Sequence, residues 1–283
     1  MRLKLILILL ISIFSCNKTK TLNLGATINN SKNIQVNKIG RTVKTRFSVP
    51  NGFKRIITKP NTFENYLQNF KLKPINSKVH LFNGELKNNQ QIHSAILDIN
   101  VGKRDLQQCA DATMRLRAEF LFAQNRFNDI HFKFTNGFNV EYSKWRKAYR
   151  LNVKANNVSW YKTNKESISY KSFQKYMQWI FMYAGTLSLS KELKSIEIYE
   201  IKIGDIFIKG GSPGHAVIIV DIAKNDSGEV IFMIAQSYMP AQEIHVLKNF
   251  NNQRISPWYT TKNLETLHTP EWDFTKNNLR RFQ

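Results

Sequence analysis

Residues 203–221 constrain the fold of this chain more than any other stretch. Two apolar, β-branched runs, Ile203-Gly204-Asp205-Ile206-Phe207-Ile208 and Ala216-Val217-Ile218-Ile219-Val220, flank the cluster Gly210-Gly211-Ser212-Pro213-Gly214-His215. A Gly/Ser/Pro turn between two such runs writes two strands joined by a tight loop, and a run as continuously apolar as residues 216–220 belongs to a buried strand. His215 opens the second strand. Gly211, Ser212 and Gly214 leave the backbone before it open to an approaching ligand, and the apolar run behind it anchors the imidazole. The stretch is therefore a mount for a catalytic base with substrate-binding backbone beside it; a structural histidine is the plainer reading of the same residues.

A base needs a nucleophile, and the candidate lies upstream at Cys109. Asp105 with Gln108 three residues later forms a capping-box pattern, which predicts a helix from Leu106 that carries Cys109 in its first turn. The helix dipole there favours a thiolate, while Asp111 acts the other way if it lies close. Leu106, Cys109, Thr113, Leu116 and Phe120 share one face, so a small apolar filler under a sheet is the alternative role for Cys109.

A third group must hold the imidazole. Asp226-Ser227-Gly228 writes a hairpin turn that brings residues 230–238 back beside the His215 strand, which makes Gln236 the candidate orienter. Asp221 lies about 20 Å further along the strand from His215, too far to reach the ring. Ser237 and Tyr238 are the alternatives to Gln236, because strand register decides which residue faces the imidazole. Metal chemistry has little footing: His80, His93, His131, His215, His245 and His268 are scattered without ligand spacing, and Gly210-Gly211-Ser212-Pro213-Gly214 lacks the Lys-Ser/Thr of a phosphate loop. No cofactor is expected.

The N-terminus reads as an export signal. Residues 1–15 carry Arg2 and Lys4, then an apolar run too short to span a bilayer comfortably, then Ser15 before Cys16. Ile13-Phe14-Ser15-Cys16 resembles a bacterial lipobox, which implies acylation at Cys16 and leaves Cys109 as the one remaining thiol, so no intramolecular disulfide can form. Residues 16–45, polar and rich in Asn and Lys, read as a basic flexible tether, and residues 46–283 as a single α+β domain. The formal net charge is +22, and residues 17–80 hold thirteen Lys or Arg against one acid, Glu64. Such a segment is drawn to anionic head groups or wall polymer, although a residue bias toward Lys, Asn and Ile makes many faces basic without a function. No nucleic-acid module is visible.

Gly204-Asp205 leading a strand, with Gly214-His215-Ala216-Val217-Ile218-Ile219-Val220 about ten residues later, resembles the motif of papain-like cell-wall amidases and endopeptidases of the CHAP type. The resemblance implies an α+β, papain-like fold in which a helix carrying Cys109 packs on an antiparallel sheet, and a site of Cys109, His215 and Gln236 acting on peptidoglycan stem peptides or a similar amide. This chain departs from that pattern in the long insertion between Cys and His and in Gln as the orienter. The chain from about residue 45 onward also resembles a bacterial lipoprotein family known only as a domain of unknown function, through Gln107-Gln108-Cys109-Ala110-Asp111, Arg115-Leu116-Arg117-Ala118-Glu119, residues 210–215 and residues 235–242. That resemblance implies a lipid-anchored protein of the cell envelope facing the periplasm. Two functions are expected in competition: a cysteine amidase or peptidase, and a non-catalytic lipoprotein that holds anionic envelope polymer.

Overall fold

The computed structural model describes residues 34, 36–164 and 166–283. The signal segment, Cys16 and the first part of the expected tether fall outside them. Residues 36–45, which composition assigns to the tether, are held against the domain: Val36 bridges Phe47, Thr42 bridges Lys71, and the short helix Val43–Arg46 buries Val43 and Arg46. Arg46 is retained there by its bonds to the carbonyls of Gly40 and Lys73, at 2.7 and 3.1 Å. Polar composition gives no sign of these contacts, because Thr42 and Arg46 meet Lys71 and Lys73 from a later segment.

The organising layer is an antiparallel sheet. Its main path runs His93–Ile96, His245–Leu247, Val230–Gln236, His215–Asn225, Ile206–Lys209, Leu279–Arg281, Lys194–Ser195, with Phe53–Arg55 added to the His215 strand and Tyr259–Thr260 to the Gln236 strand. The two central strands are buried from His215 to Ala223 and from Val230 to Gln236, as their long apolar runs require. The helices Phe63–Gln68 and Cys109–Ala123 take one face, where Gln68 donates to the buried Asp221 at 2.7 Å. The other face is covered from the C-terminal region, with Phe207 against Phe274, ring centroids 6.1 Å apart. The tail, irregular to sequence reading, thus supplies two sheet strands and the hairpin Thr266–His268 with Asp273–Thr275.

One irregularity places the site. Pairing between the central strands runs in step from Val230 opposite Lys224 to Met233 opposite Asp221, then resumes with Ile234 opposite Ile219 and Ala235 opposite Ile218. Val220 is left over as a β-bulge. A one-residue offset exchanges the faces of everything beyond it. Continuing the shifted register sets Gln236 opposite Val217, on the face that His215 shares; an unbroken ladder would have put it on the reverse face.

Two motif residues serve the fold. Asp205 is buried and receives both Nε and Nη2 of Arg281, at 2.6 and 2.8 Å, which pins the last strand to the sheet. Asp221, too remote for His215, is paired with Arg55 at 2.7 Å.

Candidate functional site

The helix that carries Cys109 begins at that residue, three positions later than the capping pattern predicts. The Asp111 carboxylate accepts the amide of Gln108 at 3.0 Å, whereas Asp105 is drawn off to the amide of Ala241 at 2.7 Å and to the Gln108 side chain. Ser237 donates to the carbonyl of Gln107 at 2.9 Å and so ties the helix start to the end of the Gln236 strand. Cys109 therefore sits where the two central strands part, and its sulfur faces the backbone amide of Ala216, the neighbour of His215, together with the amides of Ala110 and of Cys109 itself.

Those amides do not win. The thiol is pushed up to about 11, chiefly because Cys109 is buried and secondarily by Asp111. Asp111 is itself driven well above the usual carboxylate range by burial, and desolvation of the thiolate is the larger cause of the shift at Cys109. The lowered thiol expected from the helix dipole is thus reversed here. A terminus dipole contributes about 1 kcal/mol, and it cannot offset removal of the thiolate from water.

His215 is brought to Gln236: its Nε2 lies 2.8 Å from the side-chain Oε1, and both residues are buried. Burial first, with a contribution from Lys87, lowers the imidazole to about 4, against the opposing Gln236 bond. It is neutral at pH 7. The ring lies in an aromatic box, with Tyr238, Trp272 and Phe274 centroids at 4.9, 5.5 and 5.8 Å. No hydrogen bond joins Cys109 to His215 among the described residues.

Two residues at the site had no signal in local spacing. Glu271, on the turn of the C-terminal hairpin, accepts from Gln236 Nε2 at 2.6 Å through Oε2 and from Lys87 Nζ at 2.6 Å through Oε1. Lys87 also lies over the Tyr238 ring at 5.5 Å. Across from Gln236 stands His245, buried and lowered to about 3 by desolvation, with Nδ1 on the carbonyl of Glu243 at 2.8 Å and its ring 6.1 Å from that of His93. Among the described residues no three His, Cys, Asp or Glu gather as a metal site.

The glycine loop behaves differently from an open platform. A side chain on Gly214 would meet Thr186 Oγ1 at 2.4 Å, the Gly211 carbonyl at 2.5 Å and the Lys209 carbonyl at 2.7 Å, so its space is filled by the protein itself. Gly211 supplies a φ of +129° and its carbonyl accepts from Thr186 at 3.1 Å, while Ser212 is exposed. A groove of about 450 Å³ lies elsewhere, between Asn65, Tyr66, Phe70 and Phe120.

A family model described as "Domain of unknown function (4846)" matches residues 43–281. No curated protein and no solved structure matches the chain.

Proposed function

The chain belongs to that family, and we propose that its members' shared domain here is a papain-like cysteine hydrolase acting on an amide. The observation that carries the reading is a sulfur at a helix start facing the amide next to His215, whose far nitrogen is held by Gln236. Cys109 is the nucleophile, His215 the base and Gln236 the orienter. The thiol proton passes to His215 Nδ1 as sulfur adds to the carbonyl carbon; the imidazolium returns that proton to the departing amine; water, deprotonated by the same base, releases the acyl group. The amides gathered at Cys109, Ala110 and Ala216 are placed to receive the oxyanion. Tyr238 and Trp272 move aside for substrate, a gating step of the kind that often limits turnover.

Peptidoglycan stem peptides are the proposed substrate, and the cell envelope, with a lipid anchor at Cys16 facing the periplasm, the proposed location; the apolar N-terminal run and the basic composition support both. The bacterial membrane and anionic wall polymer are the proposed partners. The test is release of free amine from muropeptides by the full-length protein. Cleavage that disappears in Cys109→Ala supports the reading, and cleavage that survives the substitution ends it.

A second reading has its own observation. Cys109 is only 6% exposed, its thiol is pushed up to about 11, and the groove beside Tyr66 and Phe120 is lined by other residues. These favour a non-catalytic envelope lipoprotein that keeps the fold and binds polymer through its basic surface.

A further inference from the structure

We propose that Glu271, held by Lys87, is a positioning residue that fixes which nitrogen of His215 carries the proton. The inference rests on the assignment of His215 as the base. The chain of contacts runs Lys87 Nζ to Glu271 Oε1 at 2.6 Å, Gln236 Nε2 to Glu271 Oε2 at 2.6 Å, and Gln236 Oε1 to His215 Nε2 at 2.8 Å. A carboxylate has no proton to give, so it accepts only. Glu271 therefore selects the NH2 end of the Gln236 amide and turns the oxygen toward the imidazole. An oxygen acceptor in turn requires Nε2 to bear the hydrogen. Nδ1 is left with its lone pair, the one state in which it can take a proton from a thiol.

The amide of Gln236 alone cannot make this choice, since either end fits a neutral imidazole. Lys87 holds Glu271 in place. Its ammonium donates only, which occupies one oxygen of residue 271 and leaves the other to Gln236. Lys87 and Glu271 are 7% and 17% exposed at their side chains, so water competes weakly for either. The same hairpin turn supplies Trp272 to the roof of the imidazole, and the orienting contact and the cover arrive on one segment.

The isosteric substitution Glu271→Gln makes a directional prediction. Lys87 takes the new side-chain oxygen, the new NH2 faces Gln236, the Gln236 amide turns over, and His215 is driven to carry its proton on Nδ1. Ring 15N correlation spectra of the full-length protein at pH 7, with His215 assigned by its loss in His215→Ala, read the tautomer without reference to activity. The expected result is protonated Nε2 in the wild type, protonated Nδ1 in Glu271→Gln, and return of protonated Nε2 in Lys87→Met/Glu271→Gln, where residue 271 is free to turn its oxygen to Gln236. A wild type protonated on Nδ1, or a pattern unchanged by Glu271→Gln, overturns the inference. The hydrolase reading is scored separately: with the tautomer reversed, thiol labelling of Cys109 falls about a hundredfold. Reversal without that fall leaves the positioning role intact and removes His215 as the base.

Discussion

Gln236 reaches His215 across a shared sheet face because the strand carrying the histidine holds one residue, Val220, that its partner does not match. The contact is buried on both sides, so its loss strands two polar groups at once. In Gln236→Leu the Nε2–H of His215 and one oxygen of Glu271 lose their partner. Each such orphan costs about 1–3 kcal/mol, and Glu271 recovers part of its share from solvent, so a loss of about 2–3 kcal/mol is expected. Urea denaturation measures it, and a change below about 0.5 kcal/mol contradicts the buried relay.

Acid destabilises the domain through its buried imidazoles. His215 and His245 are lowered by burial to about 4 and about 3. In the unfolded chain both protonate near the ordinary value of about 6.5, so the unfolded state binds more protons between that value and the folded ones. Their contribution is complete above pH 6.5 and is lost as pH falls toward 4, at about 1.4 kcal/mol per pH unit for each imidazole. Burial raises Asp111, Asp205 and Asp221 and gives stability back over part of the acid range. The comparison is therefore made between wild type and His245→Gln. Stability of the variant measured at pH 7.5 and 5 is expected to fall less than that of the wild type, and an equal fall contradicts the assignment.

Gly214→Ala is expected to unseat the loop before His215. Two of the three atoms within 2.7 Å of an added Cβ are backbone carbonyls, of Gly211 and Lys209. They cannot turn away as a side chain does, and a loss of about 2 kcal/mol or more follows. Gly84→Ala, with nothing within 4 Å of the new Cβ, meets only the cost of its positive φ. Melting curves of the two variants decide it; a Gly214→Ala melt at or above that of Gly84→Ala contradicts the close packing.

Asp205 is expected to matter for stability and not for thiol chemistry. Asp205→Asn removes the carboxylate that Arg281 grips at 2.6 and 2.8 Å. A buried pair broken from one side costs about 3–5 kcal/mol, and about 2 here because the Arg281 side chain is 26% exposed. Labelling of Cys109 in the folded protein stays within twofold of wild type. A large fall in labelling at unchanged stability contradicts the structural role.

The sequence made the middle of this fold legible because its signals there are local. Unbroken β-branched runs around a glycine turn specify the two central strands, and a hairpin turn then forces residue 236 to return near residue 215. The bulge at Val220 carries no comparable mark, yet it decides which face Gln236 occupies. The pattern around Cys109 marks a helix, but the capping pair at Asp105 sets its start too early, since Ala241, distant in sequence, competes for that carboxylate. The sign of the thiol's shift depends on burial under neighbours from other elements and cannot be read from a helix terminus. Lys87 and Glu271 were illegible for the same reason: each sits in an aperiodic segment, and their meaning arises only where those segments meet.

The most direct measurement is the rate at which a small thiol-directed acyl electrophile labels Cys109 in the full-length protein at pH 7.5, in wild type and in His215→Ala, followed by intact mass. With the thiol pushed up to about 11, an unassisted sulfur reacts slowly, so any assistance by the imidazole is visible. The account predicts labelling at least about tenfold faster in the wild type. Equal rates in two folded proteins contradict it, and leave Cys109 as a buried packing residue beside a structural histidine.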